Sequence, residues 1–266
     1  IAHNWRQSLT NMVTRNYMEN GFDFFHPMID IAGNRTGIMG GEFPFFNWLV
    51  YLFSSVFGYE HWHGRLINLI VSSIGLYFFY KLINRVLSKK IAFTATLILA
   101  VSVWFSFSRK IMPDTFSVSL MIIGLYYAYV YLKQGKLYGV ILFFILCTLG
   151  MLCKIPALSL LSALGVIFFI KEIALKRKII LIIVGSISFS IVCWWYFIWV
   201  PHLVDTYNFM LFFPKTMSEG ITEISTRIPL LLERFYFSSL HSFVAFIAFL
   251  AGLYFLIKSK HKHLKL

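Results

Sequence analysis

Acidic residues are scarce in this chain, which has 11 Asp and Glu among 266 residues. Only 13% of positions carry any charge, against about 25% in soluble domains, and that excludes an ordinary water-soluble globule. Cysteine is scarcer still. Cys147, Cys153 and Cys193 lie in apolar runs or at their ends, with neither metal-ligand spacing nor a disulfide framework. They read as thiols at lipid depth. A transporter would carry ionisable residues at mid-bilayer and often internal repeats, whereas the apolar runs here are nearly free of ionisable residues and show no clear repeat. No leader-like segment stands at the start, and residue 1 is Ile. The chain is therefore expected to follow an earlier membrane-crossing helix and to be part of a longer protein.

What is abundant is apolar surface: 59% hydrophobic and 19% aromatic residues, with a mean hydropathy of +0.74. These values and the long apolar runs predict an all-α, multi-pass integral membrane protein. Seven spans are expected, at about 62–83, 91–107, 116–132, 137–152, 156–170, 179–200 and 240–257. A single helix over 137–170 would be about 51 Å long, against about 30 Å of hydrocarbon. Lys154-Ile155-Pro156 is therefore expected to turn the chain. The organisation that follows is an outer loop (1–61), six spans (62–200), a second outer loop (201–239), and a last span with a basic tail (240–266).

Charge sets the orientation. With the opening loop outside, the inner ends hold 14 of the 24 Lys and Arg residues. They fall in groups at 81–90, 133–136, 171–178 and 258–265, with Glu172 as the one acid. The outer side balances ten cations with ten acids. This is the positive-inside pattern. It gives the net charge of +13 a role in anchoring to anionic membrane lipid, so nucleic acid is not needed as a partner.

The opening loop is the long region without a spanning pattern. Trp5, Leu9, Met12, Val13 and Tyr17 recur at helical spacing over 4–20. This predicts an amphipathic helix on the membrane surface, capped by Asn4 with Gln7 in the capping-box position. A loop follows, then a short apolar turn over 45–57 closed by Gly58-Tyr59-Glu60. Glu42 sits between Gly41 and Phe43-Pro44, where the chain enters aromatic sequence. A carboxylate there is costly unless it faces water, a cation or a metal. Arg109-Lys110-Ile111-Met112-Pro113-Asp114 opens the third span. Asp114 reads either as a helix-dipole partner or as a site acid, and Arg109 and Lys110 either as interface anchors or as phosphate ligands. Lys154 and Lys215 carry the same two readings.

At these residues the chain resembles the GT-C membrane glycosyltransferases that use polyprenyl-phosphate sugars. The closest groups are the protein O-mannosyltransferase-like family 39 and the lipid A aminoarabinose transferases. Gly41-Glu42-Phe43-Pro44 looks like the family's Glu-x-Pro motif, and Gly64-Arg65-Leu66 like its Arg-Leu helix opening. Pro113-Asp114 and the lysine of Gly150-Met151-Leu152-Cys153-Lys154 match two further features. The first-loop acid of the family is absent: His3-Asn4-Trp5-Arg6-Gln7 stands there, an opening similar to one bacterial subgroup. Lys215 takes the place of a histidine that binds metal in some relatives. A divalent metal is thus left open.

The resemblance implies an inverting transfer from a polyprenyl-phosphate-linked sugar to a lipid, glycan or protein acceptor. The enzyme would lie in the cell (inner) membrane with its site on the extracytoplasmic face. Glu42 is the first candidate for catalytic base and Asp114 the second, with His3 and Gln7 as further first-loop candidates. Lys154, Arg109, Lys110, Arg6 and Lys215 are the candidates to hold the donor phosphate. A transporter or a non-catalytic membrane subunit is the alternative.

Overall fold

Helices make up every regular element among the described residues; the one β contact is an isolated bridge between Met28 and Ile38. The computed structural model describes residues 4–166, 173–209, 217–234, 236–237 and 243–258. The chain forms two compact units, Ile1–Leu211 and Phe212–Leu266. The second contains α11 (Met217–Thr226), α12 (Ile228–Arg234) and α13 (Phe243–Lys258).

The first unit is built around α6 (Pro113–Gln134). Pro113 pre-sets the first helical turn, and Gly135, in the left-handed conformation at φ 71°, ends it. The chain then turns straight into α7 (Leu137–Cys153), which packs antiparallel on α6. Small residues set this contact. A Cβ on Gly124 would lie 2.5 Å from Cys147 Sγ, and one on Gly150 would lie 3.0 Å from the Ser117 carbonyl. Backbones that come this close pack well without a hydrophobic driving force, as helices in lipid must. The Ser117 hydroxyl donates to the Gly150 carbonyl at 2.6 Å and fixes the register.

α3 (His63–Val86) and α9 (Leu175–Trp194) pack on this pair, and α4 (Lys89–Ala100) packs on α3. Ile70, Ile74 and Tyr77 of α3, Phe93 and Leu97 of α4, and Ile183 and Ile187 of α9 are exposed. Such one-sided apolar faces suit lipid contact. Among the described residues three helices are long and apolar enough to cross a membrane: His63–Val86, Pro113–Gln134 and Leu175–Tyr207. A fourth candidate is α4 with α5 (Val103–Ser106) and the 3-10 turn Phe107–Arg109, bent by 51°.

That bend replaces the straight second span expected from the sequence. Ser102 causes it locally: its hydroxyl donates to the Leu99 carbonyl at 2.6 Å and accepts from the Phe105 N–H at 3.4 Å. The side chain thus ends one helix and caps the next. The turn at Lys154 is present, with that residue extended at φ −158° and ψ 104°. Beyond it Ile155–Ser162 is a 3-10 helix and α8 (Ala163–Val166) is short. Residues 167–170 of the expected fifth span lie outside the described residues.

The helix of the sixth span runs past residue 200 into what the sequence suggested was loop, through α10 (Val200–Tyr207) to Asn208 at φ 49°. Pro201 is tolerated because a π turn, Trp195–Trp199, directly precedes it. The regular N–H ladder is already interrupted there, so the missing donor of proline costs little.

The opening loop folds onto this bundle. α1 (Asn4–Asn20) buries Leu9, Val13 and Tyr17 against Ile29 and Met39. Its apolar stripe is therefore spent inside the protein instead of on the membrane surface, and Trp5, counted with that stripe, is 56% exposed. Asn4 is itself helical, and the Gln7 side-chain oxygen accepts from the Ile111 N–H at 3.4 Å. The capping box is not formed because Gln7 makes a tertiary contact. Residues 45–57, read as a short turn, form the helix α2 (Phe45–Phe57), ended by Gly58 at φ 81°.

Candidate active site

Four distant segments bring two acids and two cations together. Glu42 lies in the loop before α2, Asp114 in the first turn of α6, Lys154 just past the end of α7 and Arg6 on α1. The Lys154 ammonium pairs closely with Glu42 Oε1 and lies 4.0 Å from Asp114 Oδ1. Arg6 closes the ring, with Nη2 3.5 Å from Glu42 Oε1 and Nη1 3.5 Å from Asp114 Oδ1. The formal charge of the four sums to zero.

Backbone contacts hold the segments that carry Glu42, Lys154 and Asp114. The Trp195 indole donates to the Gly41 carbonyl at 2.9 Å, and the Phe43 N–H donates to the Leu152 carbonyl at 3.1 Å. The Tyr196 hydroxyl donates to that same carbonyl at 2.8 Å. These bonds tie the Glu42 loop to the end of α7 beside Lys154. A Cβ on Gly40 would lie 2.8 Å from the Val200 carbonyl, so only glycine lets the loop sit this close to α10.

Asn68, fully buried on α3, sets the other side. Its amide donates to the carbonyls of Lys110 at 2.8 Å, Met112 at 3.0 Å and Phe107 at 3.4 Å. Its oxygen accepts from the Thr115 hydroxyl at 2.9 Å. One side chain thus pins the turn that leads into Asp114.

The cluster is partly open to solvent: the side chains of Glu42 and Asp114 are each 31% exposed and that of Lys154 is 16% exposed. Burial raises the Glu42 pKa from its ordinary value near 4.5, against the opposing pull of Lys154 and Arg6. A carboxylate with a raised pKa is a stronger proton acceptor. Asp114 Oδ2 is buried with no hydrogen-bond partner among the described residues, and so can still accept one bond.

The structure therefore gathers Glu42, Asp114, Lys154 and Arg6, with Gln7 beside them at Ile111. Arg109 and Lys110 do not join the ring: Arg109 is exposed, and the Lys110 ammonium sits 3.9 Å over the Phe107 ring. His3 and Lys215 lie outside the described residues. Among the described residues no three His, Cys, Asp or Glu side chains gather as a metal site would need. Sequence reasoning missed Asn68, Trp195 and Tyr196. The signals were a lone amide inside an apolar span and an interfacial Trp-Trp-Tyr run.

The family described as dolichyl-phosphate-mannose-protein mannosyltransferase matches residues 41–197, more than half of the chain. The match takes in Glu42, Asp114 and Lys154, and leaves Arg6 outside. No curated protein and no solved structure matches the chain. With that match and helices able to cross a bilayer, the chain belongs to the dolichyl-phosphate-mannose-protein mannosyltransferase family of membrane-embedded, GT-C-type glycosyltransferases.

Proposed function

We propose that the protein transfers a sugar from a polyprenyl-phosphate donor to a hydroxyl acceptor at the extracytoplasmic face of the cell membrane, with inversion at the sugar carbon. The observation that carries this is the four-charge ring of Glu42, Asp114, Lys154 and Arg6. The reading includes seven spans with the opening loop outside, as the charge distribution favours.

In the proposed reaction Lys154 and Arg6 hold the donor phosphate by charge-assisted hydrogen bonds. An acceptor oxygen attacks the anomeric carbon from the face opposite the phosphate. The bond from that carbon to the phosphate oxygen breaks, and the phosphate leaves with the electron pair. The proton of the acceptor hydroxyl passes to Glu42. The ring suits this order of events because it is neutral before the donor arrives. A phosphate that takes Lys154 and Arg6 releases Glu42 from its ion pairs and adds negative charge nearby. Both changes raise the proton affinity of Glu42 at the moment it is needed.

The test is transfer from a radiolabelled polyprenyl-phosphate sugar into an acceptor extract by the purified protein. Wild type should transfer, and Glu42→Gln should do so only at a small residual rate. Full activity in Glu42→Gln would remove Glu42 as the base. If Asp114→Asn were also fully active, the site assignment would fail.

A further inference from the structure

A pocket lies in the opening loop, between the C-terminal half of α1, the segment around residues 21–38 and the end of α10. Its volume is about 320 Å³. Tyr17, Asn16, Asn20, Asp23, His26 and Tyr207 line its polar and aromatic sides, and no Lys or Arg is among the lining residues.

Tyr17 is 3% exposed, and its hydroxyl has no hydrogen-bond partner among the described residues. A buried hydroxyl left so is costly, and a ligand hydroxyl would satisfy it once the side chains that cover the oxygen move aside. Burial, with the nearby Asp23 charge, pushes the Tyr17 phenol pKa up, so it keeps its proton and can donate. Asp23 Oδ2 pairs with His26 Nδ1 at 2.7 Å, and Asp23 Oδ1 accepts from the Phe25 N–H at 2.7 Å. With the proton on Nδ1, His26 Nε2 is left as an acceptor. The imidazole packs edge-on against Trp199 and Tyr207, at 5.8 and 6.0 Å between ring centroids.

We infer that this pocket binds a neutral sugar ring carried by the acceptor, apart from the transfer centre. A sugar presents hydroxyls that both donate and accept beside apolar C–H faces, which suits a donor, acceptors and aromatic rings in one cavity. A phosphate would meet Asp23 with no lining cation to offset it. Arg6 and Asn16 are ten residues apart on α1, or about 15 Å along its axis. One ring cannot span that distance, so the sugar bound here is not the one being transferred. The inference rests on the glycosyltransferase reading above.

Two measurements on the purified full chain in detergent separate the two ideas. The first is saturation-transfer NMR with methyl α-mannoside, methyl α-glucoside and N-acetylglucosamine. At least one should bind saturably. Tyr17→Phe and Asp23→Asn should each weaken it about tenfold, the worth of one good hydrogen bond. Asn20→Leu, which narrows the pocket and leaves the Asp23 contacts in place, should abolish it; Glu42→Gln should leave it unchanged. The second is the transfer assay, in which Tyr17→Phe should raise KM for the acceptor and leave kcat and the donor KM alone. No saturable sugar binding, binding that survives all three pocket variants, or binding lost in Glu42→Gln would overturn the inference. So would preferential binding of choline over the sugars, or a shift in donor KM. Sugar binding that follows the pocket variants in a protein without transfer activity would sink the function reading and not the pocket.

Discussion

The two ends of α6 hold charge in opposite ways. At the Pro113 end, acids and cations alternate in one ring, and the contacts join residues 108 and 112 positions apart in sequence. Toward the Gln134 end, cations settle on what is near. Lys81 stands 5.0 Å over the Tyr77 ring and 5.4 Å over that of Tyr126, and Arg177 donates to the Leu132 and Lys133 carbonyls at 2.9 and 3.0 Å. Ring faces and carbonyls satisfy a cation without specifying much else. A balanced ring needs four segments in place at once. The Gln134 end anchors, and the Pro113 end can select a ligand and move a proton.

The sharpest way to break this contrast is to neutralise the base candidate. Glu42→Gln should lower the transfer rate by about 10²–10⁴-fold, the usual contribution of a positioned general base. The pH profile should agree. A base must be ionised, and the Glu42 pKa is raised, so activity should fall, as pH is lowered, at a higher pH than an ordinary carboxylate would dictate. That limb should vanish from the residual activity of Glu42→Gln. A limb at the ordinary carboxylate position would argue against Glu42.

Next in size is the partner. Lys154→Gln should raise donor KM by about 10–100-fold, as loss of a charged hydrogen bond implies. A double-mutant cycle with Glu42→Gln should show a coupling of about 0.5–3 kcal/mol. Additive effects would mean that the ion pair plays no part in donor binding. Asn68→Ala should cost about 1–3 kcal/mol in thermal unfolding, because buried carbonyls lose their donor. It should also slow transfer, since the turn before Asp114 loosens; unchanged transfer would show that Asp114 does not need this staple. The smallest effect belongs to the other end of α6. Arg177→Gln should change stability by about 0.3–1 kcal/mol and leave transfer kinetics alone. A large loss of transfer there would erase the distinction between the two ends.

Much of this was legible in the sequence, residue by residue. Helix α1, the spans at α3 and α6 and the turn at Lys154 followed from apolar spacing and length. Glu42, Asp114 and Lys154 stood out because charge is costly where the chain enters apolar sequence, and Arg6 was one of several cations on the same face. What could not be read was pairing. Nothing local says that Lys154 meets Glu42 while Lys110, beside Asp114 in the chain, turns to Phe107. Asn68 was passed over because one amide in an apolar run looks merely tolerated, and its value lies in carbonyls about 40 residues away. The same kind of contact explains Gln7, whose side chain accepts from Ile111 instead of closing a capping box. Ser102 and Pro201 show the converse. A local hydroxyl breaks a helix that hydropathy would continue, and a π turn carries a helix past a proline that would otherwise mark its end.

That π turn also sets the phase of everything after it. Its wider turn works as one extra residue in an otherwise regular helix, equivalent to a rotation of about 100°. Before it, Leu181, Gly185, Ser188 and Val192 look inward to the bundle. At its last residue and the next, Trp199 and Val200 meet the opening loop at Phe25 and Gly40. Deleting a single residue within Trp195–Trp199 would restore an even helix and swing that second face off the loop. The grip on Gly40 and Gly41, and with it the placement of Glu42, thus depends on a counting irregularity in a helix that contributes no charge to the ring.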